Sequence, residues 1–140
     1  MAKGLAYGLD IPLISVSTLE AMAIAMKKGS DQNTDFFVPM IDARRNEVYC
    51  QTFNKDLKPV SKPEALILEN AAFNKLNGNT LFGGDGCHKW QEQAEKNKNW
   101  HFKSDAFLSA EHVGKIAINT TGFSDIAYFE PNYLKDFTGR

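Results

Sequence analysis

Two apolar runs separated by a charged hinge dominate the pattern of the chain. Phe36–Ile41 is apolar almost throughout, as in a strand buried on both faces. In Val48–Phe53, Tyr49, Gln51 and Phe53 would share one face and Val48, Cys50 and Thr52 the other. The pattern predicts a β-hairpin, with a polar turn over Asp42–Glu47. Pro39 has no N–H to give to a ladder, so it is expected near a sheet edge or at a bulge.

Ahead of the hairpin, Lys3–Leu9 places Leu5 and Leu9 at helical spacing, with Gly8 near the close. So short a helix is marginal alone, because nucleation is costly. Ile11–Val16 reads as a buried strand. Ser17 or Thr18 can cap a helix from Leu19 to about Lys28, with Glu20 in its first turn and Lys27 and Lys28 in its last. Gly29 can close it, and Ser30–Asp35 is loop-like.

After the hairpin, Asn54–Asp56 makes a turn and Lys58–Val60 is extended. Pro63–Leu68 reads as a strand, with helix as the rival reading because Glu64, Ala65 and Leu66 are good helix formers. Asn70 can cap a short helix over Ala71–Leu76. Thr80–Phe82 is a strand running into Gly83-Gly84-Asp85-Gly86, followed by a helix over Cys87–Glu95 and a short strand at Trp100–Phe102. Ser109 caps a helix with an apolar stripe of Val113, Ile116 and Ala117. The aromatic-rich tail, Ile126–Phe137, is expected to pack down, against the sheet or as a partner surface.

From Phe36 the order is β-β-β-α-β-α-β-α. That is the order of an α/β, ribonuclease-H-like domain: three antiparallel strands, then strands alternating with helices on a mixed sheet. Residues 1–30 give only a helix, a strand and a helix. A lone strand cannot satisfy its own backbone groups. The expected division is therefore a remnant of one domain over 1–30 and a complete domain over 31–140. If Ile11–Val16 has lost its own sheet, it is expected as an exposed edge or paired with a second copy, giving a homodimer.

Composition narrows the chemistry. The formal net charge of −1 gives no general attraction to nucleic acid, although a local basic patch is compatible with it. No apolar run approaches the roughly 20 residues that span a bilayer. The opening residues carry no charged-then-apolar leader. Cys50 and Cys87 form no CxxC, so buried thiols in a reduced, cytoplasmic protein are expected.

Asp42 ends the first strand and Asp85 follows the fourth, and the topology makes those ends neighbours. With Glu47 they could bind two divalent metals for phosphodiester cleavage; the plainer reading is a solvated hairpin end. Gly84 and Asp85 sit in a glycine-rich strand-to-helix loop, which can approach a phosphate or be a plain tight turn. Arg44 and Arg45 can contact phosphate or a partner's carboxylate, or lie in a solvated turn. His88, His101 and His112 lack ligand spacing, so no metal site is expected. No nucleophile motif is present and no catalytic residue is assigned.

Ala2–Ala6, Ile11–Leu19, Ile41–Tyr49 and Glu130–Leu134 together resemble the TsaB (YeaZ) family, bacterial proteins needed for threonylcarbamoyladenosine on transfer RNA. The resemblance runs in order along essentially the whole chain. The family has also been labelled glycoprotease-like or M22 peptidase-like. It implies an actin/Hsp70-like ATPase superfamily architecture of two ribonuclease-H-like domains. Residues Lys3–Lys28 would map to the end of the first domain and Phe36–Arg140 to the second, with the bulk of the first domain missing ahead of Met1. The family resembles its catalytic partner TsaD but lacks that protein's metal-binding histidines. Its implied role is as a non-catalytic partner of TsaD, with a TsaE-like ATPase in the complex and tRNA engaged indirectly. The implied TsaD contact falls on Lys3, Leu5, Ala6 and Leu9. No cofactor is expected, because the family's nucleotide cleft would lie between two complete domains. A metal-dependent nuclease and an M22-like peptidase are the alternatives.

Overall fold

The hairpin forms and becomes the centre of a mixed sheet. The computed structural model describes residues 1–30, 33–69, 72–94, 97–106 and 108–135. In chain order the elements are α1 (Ala2–Gly8), α2 (Thr18–Lys28), β1 (Phe36–Asp42), β2 (Glu47–Cys50), β3 (Phe53–Asn54), β4 (Glu64–Ile67), β5 (Thr80–Gly83), α3 (Cys87–Gln93), β6 (Trp100–Lys103) and α4 (Ala110–Asn119). The sheet order is β4-β2-β1-β5-β6, with β3 also paired to β1. β1 is antiparallel to β2 and β3 but parallel to β5, which is parallel to β6. β4 closes one edge, antiparallel to β2. This is the expected ribonuclease-H-like mixed sheet.

The predicted second strand is split in two at Gln51 and Thr52, and Pro39 supplies the reason. Met40 faces Cys50 and Phe37 faces Phe53 in one continuous register, so no residue is inserted. Opposite Gln51 stands Pro39, which has no N–H to give. The second strand turns its bonding outward there. Thr52 N–H donates to Ser61 Oγ at 2.9 Å, and Thr52 O accepts from Val60 N–H at 2.8 Å. Pro39 is therefore not at an edge: it is buried in the central strand, with Gly83 of β5 beside it.

Each face of the sheet is covered. On one, Val38, Met40, Val48, Cys50, Leu68 and Phe82 pack against α3 through Cys87 and Trp90. Phe73, Phe82, Trp90 and Trp100 form an aromatic cluster there, with ring centroids 5.1 to 5.6 Å apart for four of its pairs. On the other, Phe37, Phe53 and Leu81 pack against Leu19, Ala23 and Met26 of α2. Ser17 caps α2, its Oγ accepting the Glu20 N–H at 3.4 Å. The expected division at residue 30 would set α2 apart from the sheet. By packing, α2 is one of the sheet's two covering layers.

Other expectations change locally. Ile11–Val16 forms no strand: Leu13 makes one isolated bridge to Ser124, and Ile11 is half exposed. Pro12 has no N–H to give, and among the described residues no strand lies beside that segment to extend the bridge into a ladder. The helix expected over Ala71–Leu76 is a run of turns from Ala72 to Lys75 that buries Phe73; Asn70 and Ala71 lie outside the described residues. Glu95 and Phe137 lie outside them as well. Pro63–Leu68 resolves as strand, and its helical rival is excluded by the β2 ladder.

Candidate functional site

The hairpin end gathers most of the predicted polar residues, and the fold explains how. β1 and β5 are parallel neighbours, so Asp42 at the end of one meets Asp85 just past the other. The Asp42 N–H donates to Asp85 Oδ1 at 3.0 Å. The Asp42 carboxylate is turned to different partners. It accepts the Arg44 N–H at 2.7 Å and the Lys89 ammonium at 2.8 Å. The Lys89 contact, then the Arg44 amide, hold its carboxyl below the usual carboxylate range. Glu47 pairs with Lys135 from the tail, while its carbonyl accepts Lys89 at 3.2 Å. Each of these carboxylates has its own donor, so the three do not converge. Among the described residues no group of three or more His, Cys, Asp or Glu side chains is placed to hold a metal ion. The nuclease alternative thus loses the cluster it required.

Two amides of the glycine-rich loop are already engaged inside the fold. Gly84 N–H donates to Lys103 O at 3.2 Å, and Gly86 N–H to Met40 O at 3.1 Å. Gly84 has φ +102, and a Cβ there would sit 2.4 Å from Met40 O. Only glycine fits that approach. Gly84 therefore serves the join between the hairpin and α3, and Asp85 serves as acceptor for β1.

Arg44 and Arg45 stand at the tip. Both are exposed and both are left-handed, with φ 65 and φ 49. A non-glycine residue there costs on the order of 1–2 kcal/mol. The turn is fastened by Ala43 N–H to Glu47 O at 3.1 Å and by Asn46 Nδ2 to Leu68 O at 2.6 Å. None of the ion pairs among the described residues includes either arginine.

The residues assigned to a partner contact lie elsewhere, on α1, and they separate. Ala6 is buried. Lys3 is tied inside the molecule: its ammonium donates to Ala127 O at 2.9 Å and Phe129 O at 3.1 Å. Leu5 and Leu9 are 54% and 64% exposed, with Tyr7 and Ile11 exposed beside them. The tail packs down in part. Ile126, Phe129 and Leu134 are half-buried, but Tyr128 and Tyr133 are more than 80% exposed. A cleft of about 620 Å³ separates the tail from the hairpin, lined by Tyr49 and Ile41 on one side and by Phe129, Tyr133 and Lys135 on the other. The sequence pattern missed that cleft, because it joins segments some eighty residues apart through the Lys135–Glu47 pair.

No helix among the described residues is long and apolar enough to cross a membrane. The family described as TsaD, tRNA N6-adenosine threonylcarbamoyltransferase, matches residues 1–136. The tRNA threonylcarbamoyladenosine biosynthesis protein TsaB of Haemophilus influenzae is 34% identical over 109 residues, covering 69% of this chain and 45% of that protein. The TsaB of Escherichia coli is 31% identical over 103 residues, covering 66% and 42%. The chain thus spans less than half the length of these curated relatives. YeaZ from Pseudomonas aeruginosa superposes with a TM-score of 0.76 at 20% identity, over 95% of this chain and 64% of that one. A second solved structure, a protein with similarity to peptidase YeaZ from the same organism, gives 0.70 at 20% identity, over 95% and 63%. At that identity the two structures speak for the fold alone. Taken with the family match along nearly the whole chain, they agree with the residues that first suggested it: this chain belongs to the TsaB/YeaZ family of TsaD-like proteins.

Proposed function

We propose that the chain serves threonylcarbamoyladenosine formation on transfer RNA as a non-catalytic partner of a TsaD-like catalytic subunit. A TsaE-like ATPase belongs to the same complex, tRNA is the complex's substrate, and the setting is cytoplasmic. Two relatives named for that pathway support the reading. The observation that carries the partner role is the exposed pair Leu5 and Leu9, one turn apart at the end of α1, with Ile11 exposed just after them. Apolar side chains grouped this way mark a surface that another protein covers. The chemistry of the hairpin end fits a supporting role. Its carboxylates and glycine amides are spent on holding strands together, and it offers no nucleophile with a base beside it. Nucleotide is reserved for the full-length family member or the complex.

The test is capture by a purified TsaD-like subunit, comparing the chain with Leu5→Asp/Leu9→Asp. The expected result is capture by the parent chain and loss with the variant, at unchanged far-ultraviolet circular dichroism. Equal capture of both would remove α1 from the contact. Light scattering on the chain alone reads the other occupant of that surface, a second copy. A dimer broken by the same two substitutions would assign α1 to self-association instead.

A further inference from the structure

We propose that Arg44 and Arg45 form a phosphate-contacting tip through which this chain touches RNA directly. The inference rests on the tRNA-pathway reading and adds a direct contact to it. Its first support is charge bookkeeping at the hairpin end. Asp42, Glu47 and Asp85 all lie there and would be natural partners for two arginines. Each is already engaged: Asp42 with Lys89 at 2.8 Å, Glu47 with Lys135, and Asp85 with the Asp42 N–H at 3.0 Å. Lys89 and Lys135 neutralise Asp42 and Glu47, Asp85 keeps its charge against a backbone N–H, and the two arginines leave the hairpin end positive by one charge. The chain's formal net charge is −1, so this tip is a local exception to the whole.

The second support is conformational. Arg44 and Arg45 are consecutive left-handed residues, φ 65 and φ 49. Glycine or asparagine takes that region with less strain. The sequence places arginine there against local preference, and such conflicts gather where a side chain is needed for something other than the fold. The tip is also held still. The Arg44 N–H is bonded to Asp42 Oδ1 at 2.7 Å, and Asn46 reaches Leu68 O at 2.6 Å. A fixed base lowers the ordering cost when two long side chains meet their ligand.

The third is shape. The tip is exposed, and neither arginine lines the cleft between the tail and the hairpin. Two exposed guanidiniums suit oxyanions presented on a surface. Successive backbone phosphates of RNA offer that in a row, and arginine binds phosphate bidentately.

The experiment uses an unmodified tRNA transcript, fluorescently labelled, and follows anisotropy as the chain is added at several salt concentrations. The variants are Arg44→Asn/Arg45→Gly, which suits left-handed backbone, and Arg44→Lys/Arg45→Lys, which keeps the charge. The expected result is weaker binding by the Asn/Gly variant at low salt. Its slope of log affinity against log salt should be shallower by about 1.4, for two single-strand contacts at about 0.7 each. The Lys/Lys variant should keep the slope. Thermal unfolding of the Asn/Gly variant should occur at the same temperature or higher, which separates lost contact from lost fold. Equal affinity and slope for parent and Asn/Gly variant would overturn the proposal, as would a parent chain with no measurable affinity at about 50 mM salt. Loss of binding to the TsaD-like subunit with unchanged RNA binding would overturn it too, and assign the tip to a protein carboxylate. Capture by that subunit, measured in parallel, reports on the pathway reading separately: capture intact with RNA binding unaffected sinks the tip and leaves the partner role standing.

Discussion

The sheet and the N-terminal helix both carry rows of apolar side chains, but only the sheet hides them. Val38, Met40, Phe82 and Trp90 are fully buried, between helices on each face. α1 buries Ala6 and leaves Leu5, Tyr7 and Leu9 in solvent. The sheet is held by area removed from water, which is non-directional and cooperative. Among the described residues, the α1 region is tied to the tail by two lysine hydrogen bonds, one backbone bridge and the Ser124–Ser15 hydroxyl pair, which fix geometry and contribute little free energy. The contrast separates a part of the chain that buries its apolar side chains from a part that leaves most of them exposed.

The largest test of the contrast is truncation of a side chain on each side of it. Trp90→Ala empties the aromatic cluster and is expected to cost about 3–5 kcal/mol, read as a lowered urea midpoint. Part of the loss is offset, because the Trp90 Nε1 is buried without a hydrogen-bond partner among the described residues. Tyr7→Ala removes an equally conspicuous aromatic that is 83% exposed, and should move the midpoint by no more than about 0.5 kcal/mol. Comparable losses from both would mean that α1 belongs to the cooperative unit.

Glycine substitutions sharpen the comparison by giving opposite signs. Gly84→Ala forces a Cβ to 2.4 Å from Met40 O at φ +102, and is expected to cost about 2–3 kcal/mol. Gly4→Ala meets nothing within 4 Å in the middle of α1 and should stabilise by up to about 1 kcal/mol through helix propensity. Both are read in the same denaturation series. A neutral Gly84→Ala would show that the β5–α3 join can relax.

Alkali and acid test two groups on the sheet side. Burial pushes the Cys50 thiol up to about 12 from its ordinary 9.0, with Glu64 adding to the shift. A raised folded value favours the neutral thiol in the native state. That stability is whole below about pH 9 and is lost as pH rises toward 12, at about 1.4 kcal/mol per pH unit inside the window. Cys50→Ala should flatten that slope while lowering stability at neutral pH. Asp42 runs the other way. Its lowered value contributes stability above the ordinary carboxylate range, lost as pH falls through the folded value. The Asp42 side chain is 37% exposed, so Asp42→Asn should cost no more than about 1 kcal/mol at neutral pH and nothing in strong acid.

Legibility in the sequence follows the same divide. Period and burial are readable in several segments that pack on or in the sheet: Phe36–Ile41, Thr80–Phe82 and the Ser17-capped helix lie within a residue or so of their expected bounds. The meeting of Asp42 with Asp85 also followed, because parallel order fixes which strand ends are neighbours. What failed depends on partners outside the local pattern. Ile11–Val16 has the composition of a strand, but a strand exists only with a ladder, and one bridge to Ser124 is all it finds. Pro39 is expected near an edge or at a bulge, since one residue's pattern does not reveal that its neighbour strand can turn to Ser61 instead. The resemblance implies a partner contact for Lys3, and the structure ties its ammonium to two carbonyls of its own chain. Nothing near it in sequence announces carbonyls more than a hundred and twenty residues away.

That lysine gives the smallest effect and the finest test of the contrast. Lys3 closes a turn in which Phe129 N–H donates to Asp125 O at 2.8 Å and Asp125 Oδ1 accepts from Ala127 N–H at 2.8 Å. Lys3→Met keeps the aliphatic length and removes the donors. Global stability should change by less than about 1 kcal/mol, because the carbonyls it abandons are near water and can be rehydrated. The local readout is amide exchange. Phe129 and Ala127 should lose protection, whereas Ser124 should keep it, because its N–H to Leu13 O at 2.7 Å does not involve Lys3. Loss of protection at Ser124 as well would mean that the lysine and the bridge open as one unit. Unchanged exchange at Phe129 would mean that the tail holds its place without α1, and the two ends of the chain would then be neighbours by packing alone.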